Sequence, residues 1–122
     1  MLYVIEPQEF QHWMGVKQVH LEEQTTKAKA LFRLFRRKLV LAGFEGLFAE
    51  EVIREGDPAE QIVAQIDADE DIAILVLGAA TDVKGPGPLV TSLATGKVAG
   101  TFPIPITIVP GDLSLEDIKA LA

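Results

Sequence analysis

The stretch DIAILVLGAATDVKGPGPLVTS, residues 71–92, decides the fold. It opens with a continuous apolar run from Ile72 to Leu77, and a run without polar alternation is typical of a strand buried on both faces of a parallel sheet. A loop from Ala79 to Pro88 follows, and a helix is predicted from about Pro88 to Val98. Strand, glycine-bearing loop and helix start is the arrangement in which α/β proteins bind ligands, at the carboxyl ends of strands.

Apolar runs and helical periodicity on both sides of this stretch predict further strands and helices. Strands are predicted at Leu2–Ile5, Phe48–Arg54 and Ile106–Val109. Helices are predicted over about 16–42, 58–66 and 115–121. The resulting order β-α-β-α-β-α-β-α indicates a parallel sheet covered on both faces.

The helix boundaries have recognisable signals. Asp57 is a candidate N-cap, with Pro58 at the first helical position and Glu60 at the third. Ser114 with Asp117 has the spacing that caps the last helix. Gly43 is a candidate stop for the long helix, because glycine adopts the left-handed conformation found after helix ends.

The long helix has an apolar stripe and a basic face. The stripe predicted to be buried contains Leu21, Thr25, Ala28, Leu31, Phe32, Phe35, Leu39 and Ala42. The basic face contains Lys29, Arg33, Arg36 and Arg37. These cations fit a solvated face near a helix C-terminus, where the helix dipole favours positive charge, and they equally fit a surface for an acidic partner.

Composition limits the class of protein. The 122 residues, 48% of them hydrophobic, fit one globular domain over 1–122. A net charge of −7 argues against nucleic acid or an anionic membrane as partner. The chain has no cysteine, which excludes thiolate chemistry and fits a cytoplasmic protein. No apolar run approaches the roughly 18 residues of a membrane span.

Candidate catalytic and metal-binding residues are few. Only His12 and His20 could act as imidazole bases, and no motif ties either to a nucleophile, so we expect surface histidines and no enzyme. Trp13 fits a packed loop anchor, with base stacking or a dimer contact as alternatives. The acidic turn at 67–71 fits a solvated turn better than a cation site, because it lacks the glycine and terminal glutamate of an EF-hand.

Three stretches resemble the universal stress protein family. They are Arg54–Pro58 (REGDP), Asp71–Gly78 (DIAILVLG) and Phe102–Val109 (FPIPITIV), which are similar in order and spacing to a turn, the fourth strand and the last strand of that family. The similarity covers about residues 1–110. It implies a Rossmann-like, adenine nucleotide alpha hydrolase-like domain of three α/β/α layers with a mostly parallel sheet. It also implies a cytoplasmic dimer with a role in stress tolerance; some members bind ATP or AMP.

The chain departs from the family in two ways. Leu2–Ile5 resembles the family's second strand, so the first strand and helix, with an Asp that meets the nucleotide, have no counterpart, and 112–122 adds a C-terminal helix. ATP-binding members have Gly-x2-Gly-x9-Gly-Ser/Thr, whereas this chain has Gly78, Thr81, Thr91 and Ser92 at those positions.

The resemblance marks one candidate site for a nucleotide or a small anion. Its residues are Val4, Gly78, Thr81, Lys84, Gly85, Gly87, Thr91 and Ser92. Thr81 and Thr91 are β-branched where the family has glycine, and Pro86 and Pro88 have no N–H to donate. Lys84 fits a phosphate ligand or an ordinary solvated lysine. We therefore expect no cofactor, with weak binding of ATP or AMP as the alternative.

The family's strand order, 3-2-1-4-5, has consequences for assembly. Without strand 1, Leu2–Ile5 and Ile72–Leu77 lose the neighbour between them, so we expect them to pair directly, or a partner chain to fill the gap. The other edge strand, with Ile106, Thr107, Ile108 and Val109, is expected to pair with its own copy in a homodimer. The expected function is a dimeric regulatory or interaction module with protein partners; the alternative is a nucleotide-binding module.

Overall fold

The structure is a computed structural model that describes residues 1–7, 14–81, 84–95 and 102–121. Strands and helices alternate along these residues, as the sequence predicts, and the chain is α/β. The elements are β1 (Leu2–Ile5), α1 (Met14–Leu41), β2 (Val52–Glu55), α2 (Pro58–Ala68), β3 (Leu75–Ala79), α3 (Pro88–Thr95), β4 (Ile106–Pro110) and α4 (Leu115–Leu121). The predicted end of α3 at Val98 and the loop containing His12 and Trp13 lie outside the described residues.

The strands form two parallel pairs. β1 pairs with β2, with Leu2 opposite Val52, and β3 pairs with β4, with Leu75 opposite Ile106. These are two separate two-stranded sheets, so the predicted direct pairing of the first strand with the third is not found among the described residues. Each strand instead pairs with the strand that one crossover helix brings back beside it, which is the arrangement of a βαβ unit.

The chain divides into two compact units, Met1–Ile62 and Val63–Ala122. The first contains β1-α1-β2 and the second contains β3-α3-β4. The buried side chains of the first are Ile5, Ala28, Phe32 and Ile62, and those of the second are Ile66, Leu77, Val90 and Leu93. Burying a large aliphatic or aromatic side chain stabilises a fold by about 1.5–3 kcal/mol, so each unit depends on a handful of side chains.

The predicted helix caps are confirmed. The Glu60 N–H donates to Asp57 Oδ2 at 3.1 Å at the start of α2. At the start of α4, the Asp117 N–H donates to Ser114 Oγ at 3.1 Å and the Ser114 N–H donates to Asp117 Oδ2 at 3.2 Å. These reciprocal bonds make a complete capping box.

The end of α1 is a Schellman motif, as Gly43 predicts. Gly43 has φ of 91°. Its N–H donates to Val40 O at 3.0 Å, and the Phe44 N–H donates to Leu39 O at 2.9 Å. The last carbonyl groups of the helix thereby gain partners.

The apolar stripe of α1 is only partly buried. Ala28 and Phe32 are buried, as predicted, and Leu31 and Leu39 are half-buried. Phe35, which the periodicity places on the same stripe, is 55% exposed, so this part of the prediction is wrong. A period of 3.6 residues marks one side of a helix, but it does not say how far along the helix that side is covered.

The strand predicted at Ile72–Leu77 is shorter and less buried than the sequence predicts. β3 begins at Leu75 rather than Ile72. Leu77 is 8% exposed whereas Val76 is 62% exposed, so the strand is not buried on both faces. Successive side chains point to opposite faces of a sheet, and α3, which packs against β3, covers one of them.

β2 is also shorter than predicted, and Ala49 and Glu51, predicted to lie in the strand, bind to α1 instead. Arg36 Nη2 donates to Ala49 O at 3.0 Å, and Arg36 Nε lies 3.0 Å from Glu51 Oε1. Phe48, predicted to begin the strand, is 81% exposed.

Candidate functional site

The two ends of the loop that joins β3 to α3 are linked by a backbone hydrogen bond. The Ala80 N–H, directly after β3, donates to Pro86 O at 2.9 Å. Gly85 and Gly87 have φ of 110° and 103°, values that side-chain-bearing residues rarely adopt, so both turns depend on glycine. The loop therefore has a defined conformation on either side of residues 82 and 83, which the structure does not describe.

The start of α3 offers few donors to an anion. Gly87 O accepts the Thr91 N–H at 3.1 Å and the Thr91 hydroxyl at 3.0 Å. Pro88, the first helical residue, has no N–H. The N–H groups of Leu89 and Val90 are those that a helix start leaves without a partner inside the helix. Two neutral donors suit one oxygen atom better than a polyphosphate chain.

The two glycines at the strand ends have different surroundings. A Cβ built on Gly78 would meet nothing within 4 Å, so no backbone or side chain crowds this position. A Cβ on Gly111 would lie 2.7 Å from Ala79 O and 3.3 Å from Thr81 Cγ2. The Gly111 N–H also donates to Ala79 O at 3.0 Å. Gly111 is thus the residue that lets the ends of β3 and β4 approach each other.

The structure brings only some of the predicted site residues together. Thr81 lies beside Gly111, and Gly87 lies beside Ala80, whose Cβ is 3.7 Å from the Cβ position of Gly87. Lys84 lies in the turn, and Ser92 is exposed on α3. Val4 lies in β1 of the other unit, opposite Arg54 in register. Gly111 is absent from the predicted site; its position directly after the last strand is the signal that could have marked it.

The predicted dimer edge is an edge strand with apolar side chains. Leu75 N–H donates to Pro105 O, and Gly111 N–H donates to Ala79 O, both at 3.0 Å. Because hydrogen-bonding direction alternates along a parallel strand, Thr107 and Val109 direct their backbone groups at β3. The N–H and C=O groups of Ile106 and Ile108 point to the outer edge, where the described residues provide no further strand.

Side chains that could support catalysis or metal binding are sparse. Within the ranges that the structure describes, no group of three His, Asp or Glu residues is placed to hold a metal ion. In the acidic turn, the Asp71 N–H donates to Asp69 Oδ1 at 3.0 Å. His20 Nε2 lies 3.3 Å from Glu6 O. His12 lies outside the described residues.

No described helix combines the length and apolar character needed to cross a membrane. Comparisons with known proteins add no relative: no family model matches the sequence, and neither a curated protein nor a solved structure matches it.

Proposed function

We propose that this protein is a universal stress protein-like interaction module that acts as a homodimer and does not bind ATP firmly. In this proposal the two parallel pairs belong to a Rossmann-like architecture of three layers, and the protein works in the cytoplasm in a stress response. The closed loop between β3 and α3 carries the functional part of the proposal.

The strand pairing supports the family resemblance. In the order 3-2-1-4-5, the pairs 2–3 and 4–5 flank strand 1. β1 and β2 resemble strands 2 and 3, and β3 and β4 resemble strands 4 and 5, so the observed pairs β1–β2 and β3–β4 are those of the family order. The parallel direction of both pairs also agrees with that order.

The loop's hydrogen bonds are the argument against firm ATP binding. Phosphate groups are held by several backbone N–H groups that converge at a helix start. Here the Ala80 N–H is used by Pro86 O, and the Thr91 hydroxyl is used by Gly87 O. Pro86 and Pro88 contribute no donor. A triphosphate that used the Ala80 N–H would have to open the Ala80–Pro86 hydrogen bond.

Calorimetric titration with ATP and magnesium tests this proposal. The expected dissociation constant is millimolar, or no heat is detected. Binding in the low micromolar range that disappears in Gly78→Val or Ser92→Ala would contradict it. Gly46→Ala, at a glycine without positive φ whose Cβ position has open space, is the control for general effects of changing a glycine.

Nucleotide binding is the second candidate function, and the positive φ of Gly85 and Gly87 favours it. These glycines bring the backbone round to α3, and the Leu89 and Val90 N–H groups at its start suit one phosphate oxygen. AMP or ATP retained through purification, detected by absorbance at about 260 nm and by mass, would favour this candidate over the interaction module.

A further inference from the structure

An open apolar groove lies at the end of α1. Its volume is about 400 Å³, and its walls include Val40, Phe44, Leu47 and Phe48. Each of these four side chains is at least half exposed, and Phe48 is 81% exposed. A contiguous cluster of exposed apolar side chains is typical of an interaction site.

The groove is held in shape by hydrogen bonds within the turn after α1 and between this turn and α1. The Phe44 N–H donates to Leu39 O at 2.9 Å, and the Leu47 N–H donates to Phe44 O at 3.1 Å. Arg36 binds Ala49 O at 3.0 Å, and its guanidinium carbon lies 6.0 Å from the centre of the Phe48 ring. A surface ordered in advance loses less entropy on binding.

The groove has a basic flank. Residues 24–44 contain six Lys and Arg and no Asp or Glu, in a chain whose net charge is −7. Lys29, Arg33 and Arg36 follow the i, i+4, i+7 spacing that lines one side of a helix, and Lys29 and Arg33 are exposed. The wall itself is not basic, because it contains Glu45 and because Arg36 lies 3.0 Å from Glu51, so the positive charge that a partner would meet is that of Lys29 and Arg33 on α1. This flank suits an acidic group on a segment whose apolar side chains enter the groove.

Helix α4 is such a segment. It has seven residues, none of them buried. Leu115, Ile118 and Leu121 recur every third residue and are 50%, 42% and 79% exposed. Residues 112–121 contain three acids (Asp112, Glu116 and Asp117) and one Lys, a net charge of −2. A helix this short is marginal in water even with a capping box, so it needs an apolar surface to pack against.

We propose that α4 of one copy of this chain docks in the groove at the end of α1 of a second copy, and that the docking is reciprocal. Leu115 and Ile118 lie against Phe44, Leu47 and Phe48 of the other copy, in the helix-in-groove mode. Glu116 of α4 faces the basic flank of the groove. The contact uses surfaces other than the β4 edge, so a chain with both contacts assembles beyond the dimer as its concentration rises.

Cysteine cross-linking between two differently labelled variants tests this docking, because the chain has no cysteine of its own. One variant carries Glu45→Cys, at the groove wall, and the other carries Lys119→Cys, on α4; both leave the apolar side chains in place. Both also carry Ile108→Pro, which removes pairing at the β4 edge. The matched control replaces Glu45→Cys by Glu23→Cys, also at an exposed position of α1.

The expected result is a disulfide between the two chains that forms at least about tenfold faster than in the control, because docking raises the effective concentration of the two thiols. Adding Phe48→Glu to the groove chain or Ile118→Glu to the other is expected to return the rate to the control value, with circular dichroism unchanged.

Three results would overturn the proposal. The first is a rate equal to that of the control. The second is cross-linking only within a single chain that carries both Glu45→Cys and Lys119→Cys. The third is binding to phosphatidylserine vesicles that Phe48→Glu abolishes while the cross-linking rate stays at the control value, which would assign the groove to a membrane surface.

Discussion

Two glycines at the carboxyl ends of β3 and β4 show how the same residue type can be essential or replaceable. A Cβ on Gly111 would approach Ala79 O to 2.7 Å, closer than real Cβ atoms come, whereas Gly78 has open space. The obstacle at Gly111 is backbone, which cannot turn away as a flexible side chain can. The residue that the resemblance singled out, Gly78, is therefore the less constrained of the two.

Gly111→Ala is expected to lower the free energy of unfolding by about 1–3 kcal/mol, because the strand ends must separate to admit the methyl group. Gly78→Ala is the matched control. It is expected to change the free energy of unfolding by less than about 0.5 kcal/mol, because a methyl group at this position meets no other atom and a strand does not require glycine there. Urea unfolding of both variants measures the difference. Equal loss of stability in the two would show that the ends of β3 and β4 are not tightly packed.

At the scale of single elements, the helix starts are local features. Asp57 caps α2 through its Oδ2, and its carboxylate is exposed. Asp57→Ala is expected to lower the free energy of unfolding by about 1 kcal/mol, because the Glu60 N–H loses its partner. Asp57→Asn keeps an oxygen at the same place and is expected to cost a few tenths of a kcal/mol at most. If both substitutions cost the same in urea unfolding, charge at the helix start rather than the cap is responsible.

The edge of β4 gives a second prediction at this scale. Ile108 directs its N–H to the outer edge, so Ile108→Pro removes a donor that β3 does not use, and proline is tolerated at such positions. We expect the variant to fold and to lose edge pairing. In a chain that also carries Phe48→Glu, which removes the α4 contact, light scattering at a concentration where Phe48→Glu alone is dimeric would show this loss as a fall to the monomer mass. Thr107→Val leaves all backbone donors intact and is the control. A dimer that persists at that concentration in Ile108→Pro would place the contact elsewhere.

The sequence predicts the elements better than their arrangement. The caps at Asp57 and Ser114 and the stop at Gly43 could be predicted because each depends on residues within three or four positions. The start of β3 at Leu75 and the exposure of Val76 could not, because an apolar run does not say how many faces of a strand are covered. Strand pairing depends on contacts between residues distant in the sequence, which no local pattern predicts. The expected pairing of β1 with β3, which would join the strands into one sheet, is therefore not the one found.

The candidate site was predicted in outline only. The order strand, loop and helix start agrees with the sequence analysis, whereas the positive φ of Gly85 and Gly87 is a finding of the structure. The hydrogen bond from the Ala80 N–H to Pro86 O and the close approach of Gly111 to Ala79 O depend on tertiary structure, and no residue pattern predicts them. These two features matter most for what the loop can bind.

At the scale of the whole molecule, the described residues offer more surface for association than for chemistry. β4 has an outer edge, α4 has an apolar side without buried residues, and the end of α1 has an apolar groove. The described start of α3 offers an anion the N–H groups of Leu89 and Val90, and Pro88 adds none. This balance is the reason for proposing an interaction module rather than a nucleotide-dependent protein.

Native mass spectrometry of the purified full chain, before and after addition of ATP and magnesium, measures both assembly and bound nucleotide in one spectrum. The account predicts a dimer of twice the chain mass or a multiple of it, without adenine nucleotide as purified and without saturable uptake at micromolar ATP. A monomer at micromolar concentration, or one nucleotide held per chain, would contradict it.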